Sequence, residues 1–108
     1  MEIKDKLYIE KVVENIDFIF NNINNISEKE LENNKVLLDS VVFRLIQISE
    51  NIDRISDSVK KNNNHIPWKD IKGLRNRLVH DYGNVILDFV YNTITIDLKI
   101  LKEYFLNL

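Results

Sequence analysis

"VVFRLIQISENIDRISDSV", residues 41–59, decides the fold class. Val41, Leu45, Ile48, Ile52, Ile55 and Val59 recur at steps of three and four, the spacing that lines one face of an α-helix. Leu38, Val42 and Ile46 widen the stripe, so this helix is expected to touch neighbours on two sides. β-branched residues are numerous, yet nowhere do they alternate with polar ones for the length of a strand.

The same period continues on both sides. Upstream, Val12, Ile16, Ile19, Ile23 and Ile26 mark a first helix, and "SEKE" at 27–30 places Ser27 and Glu30 at capping-box spacing for a new start. Downstream, "KKNNNH" at 60–65 breaks the pattern, and Pro67 suits the first turn of a third helix. That helix carries Trp68, Ile71, Leu74 and Leu78 and is expected to stop at Gly83. Asn84 then caps a last helix whose stripe is Val90, Ile94, Leu98, Leu101, Phe105 and Leu108. The expected fold is all-α, an antiparallel bundle of four to five helices forming one domain over residues 1–108.

Composition narrows the function classes. The 108 residues are 44% hydrophobic and 30% charged, ordinary for a soluble globular chain, and no apolar run approaches the roughly 20 residues of a membrane helix. "MEIKDKLYIE" has no apolar signal core, so a cytoplasmic protein with no membrane partner is expected. With no cysteine, disulfides and thiolate metal sites are excluded. A net charge of −2 argues against a broadly basic nucleic-acid binder. Charge is nonetheless uneven: between Pro67 and Tyr82, Lys69, Lys72, Arg75 and Arg77 stand against Asp70 and Asp81. A focused basic patch acts on a phosphate even when the whole protein is acidic.

That patch lies in "GLRNRLVHDYGNV", residues 73–85. At about 100° per residue, Arg75 and Tyr82 share one helix face, and so do the neighbouring Asn76 and His80. A guanidinium, an amide, an imidazole and a phenol therefore lie on adjoining faces. His80 falls in the last turn, where the helix dipole favours its protonated form. These groups suit phosphodiester cleavage in RNA: His80 moves a proton near neutral pH, Arg75 grips a phosphate, and RNA supplies its own 2′-hydroxyl as nucleophile. Asn76 and Arg77 are candidates for positioning the substrate phosphate. Arg75 and His80 are about 140° apart on an ideal helix, and two copies across a two-fold axis converge them more easily than one.

Plainer readings stand beside these. A solvated helix end accounts for the same charges, and Tyr82 is equally suited to closing the helix against the core. His65 has no metal-ligand spacing around it, so no metal and no cofactor are assigned. Trp68 reads as a core anchor, and Glu28, Glu30 and Glu32 as a solvated helix start. Ser49, Glu50 and Asp53 continue the side of the second helix made apolar by Leu38, Val42 and Ile46, from which they could face the cluster as supporting residues. Gly73 costs a helix about 1 kcal/mol against alanine, which close approach of another helix would explain.

"IPWKDIKGLRNRLVHDYGNV", residues 66–85, closely resembles the signature of the small HEPN toxins, the HepT-like group paired with minimal nucleotidyltransferase antitoxins. The shared pattern is Arg75 followed by Asn76, then His80, then Tyr82, with the preceding Pro67–Trp68 and Gly73 also matching. The resemblance implies a homodimeric, metal-independent ribonuclease toxin whose Arg75 and His80 line a cleft between protomers. It further implies a cognate nucleotidyltransferase antitoxin that transfers AMP to Tyr82. The alternative is a non-catalytic helical dimer that binds the nucleotidyltransferase, or a nucleotide, without cutting RNA.

Overall fold

The computed structural model describes residues 1–80 and 87–108, with side chains at 1–78 and 87–108. Its two longest helices, α1 (Ile3–Asn22) and α3 (Lys35–Arg54), run 20 residues each, about 30 Å. They lie antiparallel, because Asp5 at the start of α1 meets Ser56 just past α3, while Asn15 meets Arg44 nearer the other end. Val12, Ile16 and Ile19 face Val41, Leu45, Ile48 and Ile52 in one buried core, as the two stripes predict. Ile23 and Ile26 of the first stripe lie beyond the helix, in a turn where Asn25 takes φ 57°. Asparagine tolerates this left-handed conformation better than most residues.

The short helix α2 (Glu28–Asn33) starts with the expected capping box. The Glu30 N–H donates to Ser27 Oγ at 3.1 Å, and the Ser27 N–H donates to Glu30 Oε1 at 3.3 Å. Asn34 alone separates α2 from α3, its Oδ1 accepting from the Leu37 N–H at 3.1 Å. The acidic start of α2 is not merely solvated: a hydrogen bond with Asp88 holds the Glu28 carboxyl above its ordinary value.

The 41–59 stripe is not one helix. α3 ends at Arg54, Ile55 turns extended, and Ser56 caps a new helix, α4 (Asp57–Asn62), its Oγ accepting from the Val59 N–H at 3.4 Å. The cause lies 51 residues away. Asp5 accepts the Ser56 N–H at 2.9 Å and the Ser56 hydroxyl at 2.8 Å, so that N–H cannot continue the helix. Ile55 and Val59 remain buried across the break, which is why their spacing reads through it.

The Ser56 N–H, and then its hydroxyl, hold the Asp5 carboxyl below its ordinary 3.8. A carboxylate depressed in the folded state stabilises the fold above its unfolded pKa and loses that contribution as pH falls through the folded value. Asp5→Ala is therefore expected to melt below wild type at pH 7, with the gap closing on acidification below 3.8. Thermal denaturation at several pH values checks this, and a gap independent of pH would contradict it.

Helix α5 (Trp68–His80) begins one residue after Pro67, whose carbonyl accepts the Ile71 N–H at 3.2 Å. Pro67 thus stands just outside the first turn rather than within it. Trp68 anchors this end, as its core reading predicts: Nε1 donates to the Asn63 carbonyl at 3.0 Å, and its ring lies 5.9 Å from that of Phe105. The expected stop at Gly83 and cap at Asn84 lie outside the described residues.

The last rod joins α6 (Leu87–Asn92), a wide π-helical turn (Thr93–Asp97) and α7 (Leu98–Leu106). Val90, Ile94, Leu98, Leu101 and Phe105 are buried as their stripe predicts, with Leu108 partly buried. The π turn coincides with "TITI" at 93–96, where β-branched side chains crowd a helix. Thr93 and Thr95 donate their hydroxyls to the carbonyls of Phe89 and Tyr91, both at 2.7 Å, a local bond that bends helices. Tyr91 ties the rod to the α1–α2 turn by donating to the Ile26 carbonyl at 2.9 Å.

The result is the expected all-α antiparallel bundle: α1, α3, α5 and the α6–α7 rod, with short helices at the corners. Among the described residues, no helix is long and apolar enough to cross a membrane.

Candidate active site

Leu78 is buried on α5, with Trp68, Ile71 and Leu74 partly buried beside it, so the polar positions must point elsewhere. The helix packs against α3, and Glu50, one turn past Ile46, stands on the facing side. Arg75 consequently faces α3 and its Nε donates to Glu50 Oε1 at 3.3 Å. Both side chains keep solvent access, 45% for Arg75 and 33% for Glu50.

An ion pair this exposed contributes only about 0–1 kcal/mol to stability, so its consequence is orientation. Glu50 engages Nε and leaves the two terminal nitrogens of Arg75 available to an incoming phosphate. A guanidinium grips phosphate oxygens through such a fork of donors.

The other two residues grouped with Glu50 behave differently. Ser49 is buried and donates its hydroxyl to the carbonyl of Ile46 at 2.9 Å, within its own helix. Asp53, one turn beyond Ser49, is exposed. Of the three, the structure brings Glu50 alone to Arg75.

Arg77 is not brought to Arg75 either. Two residues along a helix turn the side chain by about 200°, and the Arg77 guanidinium lies 4.0 Å over the ring of Phe89 on α6. Asn76, between the two arginines, is exposed. His80 is the last described residue of α5. The His80 side chain, and all of Asp81 and Tyr82, lie outside the described residues.

Among the described residues, a Cβ placed on Gly73 would meet nothing within 4 Å, so no described helix of this chain approaches it closely. His65 packs edge-on to Tyr104, with ring centroids 5.9 Å apart. Among the described residues, no three His, Asp or Glu side chains converge as a metal site would require.

The profile of the HepT-like ribonuclease family matches residues 9–108. The chain belongs to the HepT-like ribonucleases. It is 30% identical over 100 residues to a candidate RNase of Methanocaldococcus jannaschii, spanning 93% of this chain and 83% of that protein. A candidate RNase of Caldanaerobacter subterraneus is 25% identical over 96 residues, covering 89% and 86% of the two chains. A protein of Thermococcus cleftensis described as a ribonuclease HepT is 27% identical over 105 residues, covering 97% and 96%. No solved structure matches. In this HepT-like chain, Glu50 is the one of Ser49, Glu50 and Asp53 that contacts Arg75, and its place one turn past Ile46 on α3 is the signal for that contact.

Proposed function

We propose that this HepT-like ribonuclease is the toxin of a toxin–antitoxin pair and cleaves RNA at a site shared by two copies of the chain. The observation that carries the reading is the Arg75–Glu50 pair, in which a carboxylate engages Nε while the guanidinium stays open to solvent.

Arg75 holds the scissile phosphate and offsets the charge that builds on its oxygens as the bond order at phosphorus rises. His80 takes the proton from the RNA 2′-hydroxyl, or delivers one to the departing 5′-oxygen. The 2′-oxygen bonds to phosphorus, the P–O5′ bond breaks, and the products are a 2′,3′-cyclic phosphate and a 5′-hydroxyl. Neither step calls on a metal ion. Asn76 donates to a non-bridging oxygen and helps place the phosphate. Arg77, on the opposite flank with Phe89, steers the strand rather than touching the reacting phosphate.

Helix geometry supports the shared site. On an ideal helix positions 76 and 80 lie about 160° round from position 78, whereas Arg75 turns towards α3. A second copy against that outer side supplies what one α5 does not, a histidine facing an arginine.

The partner in this reading is a minimal nucleotidyltransferase. The Tyr82 hydroxyl attacks the α-phosphorus of ATP, pyrophosphate leaves, and the tyrosine carries AMP. The added phosphate brings negative charge beside Arg75 and its base occupies the cleft, so inhibition is electrostatic and steric together.

Coexpression with the cognate nucleotidyltransferase, followed by peptide mass spectrometry, tests the system. A single AMP adduct on Tyr82 is expected, with loss of neutralisation in Tyr82→Phe. An adduct on Tyr8, Tyr91 or Tyr104, or full neutralisation of Tyr82→Phe, would show that inhibition works by another route.

A further inference from the structure

On the surface of the α1–α3 pair, two phenylalanines face solvent: Phe18 on α1 is 37% exposed and Phe43 on α3 is 55% exposed. The Arg44 guanidinium reaches both, 3.9 Å over the Phe18 ring and 6.0 Å from the centre of the Phe43 ring.

A buried amide holds the arginine there. Asn15, 8% exposed, donates Nδ2 to the Lys11 carbonyl at 2.8 Å, which aims its Oδ1 at Arg44 Nη1, 3.1 Å away. Among the described residues, Arg44 has no carboxylate partner. Its charge is placed by a neutral group and left unneutralised.

The cluster is continuous with the candidate site. Phe43 and Glu50 are seven residues apart on α3, so they share a face of that helix about 10 Å from each other along its axis. Glu50 bonds Arg75. A strand whose phosphate sits on Arg75 can therefore run along α3 to Phe43, on the side away from Arg77 and Phe89.

We infer that Phe43 and the Arg44 guanidinium, backed by Phe18, form a stacking platform for an unpaired RNA base that flanks the scissile phosphate. The inference rests on the ribonuclease reading above and specifies where the substrate is gripped. Unpaired bases stack on aromatic rings and on arginine planes, and every base has a face to offer. Glu14 on α1 and Asp39 on α3 stand one turn away, so the surface is not a basic patch. Stacking, rather than phosphate charge, supplies the binding, which favours single strands over a duplex whose bases are already covered. An apolar protein partner fits less well, because it would have to bury a cation that no carboxylate offsets.

Binding of a fluorescently labelled single-stranded RNA tests the assignment, measured in the His80→Ala background so that the strand stays intact. Phe43→Ala is expected to weaken binding by roughly 5- to 100-fold, the scale of removing one stacking aromatic. Binding of an abasic strand of the same length is expected not to change, and Phe43→Trp is expected to restore binding of the RNA. If Phe43→Ala binds the RNA as tightly as its parent, or loses the abasic strand equally, the platform is overturned and the ribonuclease reading stands. Loss of dimerisation or of nucleotidyltransferase binding in Phe43→Ala also overturns it, by making the surface a protein contact. A wild-type chain that neither binds nor cuts RNA overturns both readings.

Should Phe43→Ala lose helicity, photo-cross-linking decides instead. Irradiating the His80→Ala chain with RNA carrying 4-thiouridine is expected to leave an adduct on Phe18 or Phe43, located by peptide mass spectrometry. Adducts confined to other residues overturn the assignment.

Discussion

His80→Ala is expected to lower RNA cleavage by roughly 10²–10⁴-fold, the usual contribution of a positioned proton-transfer group, while the bundle stays folded. The fold is expected to survive because Leu78 and the Trp68 anchor hold α5 to the core from its other positions. Circular dichroism and melting separate the two effects, since a structural role for His80 would lower helicity along with activity. Activity in His80→Ala within a few-fold of wild type would remove the histidine from the mechanism.

Arg75→Ala is expected to cost about 10²–10³-fold in turnover, the scale of losing one preorganised donor to a developing oxyanion. Stability should scarcely change, because the interaction lost among the described residues is an exposed ion pair. Arg75→Lys is not a conservative rescue: an ammonium offers a point charge, without the planar fork that lets Nε bind Glu50 while the terminal nitrogens bind phosphate. Glu50→Gln supplies the companion measurement. It keeps an acceptor for Nε, so the arginine stays oriented and activity falls less than in Glu50→Ala. Equal losses in Glu50→Gln and Glu50→Ala would mean that the charge matters and the orientation does not.

Much of this architecture is legible in the sequence because its helices announce themselves by period. The stripes of α1, α3, α5 and the last rod each place the right residues in the core. What local reading misses is non-local. The break at Ser56 depends on Asp5, at the other end of the helical pair, and no pattern within 41–59 marks it. The π turn at Thr93–Asp97 follows from crowding and threonine back-bonding inside an unbroken stripe, which periodicity alone cannot register.

The candidate site divides along the same line. Glu50 is found because its side of α3 continues an apolar strip, so the helix packed there must meet it. Arg77 is separated from Arg75 by simple helix arithmetic, although both belong to the same local excess of charge. Among the described residues nothing packs against Gly73, so its place in a helix is not explained by a local contact.

The central claim is that Arg75 and His80 serve a reaction whose nucleophile belongs to the RNA. Analysis of the product ends of a defined RNA, cut by the purified chain in the presence of EDTA, tests it most directly. The account predicts undiminished cleavage that leaves a 2′,3′-cyclic phosphate and a 5′-hydroxyl, with the DNA of the same sequence left intact. Products bearing a 5′-phosphate, cleavage abolished by EDTA, or DNA cut at a comparable rate would contradict it.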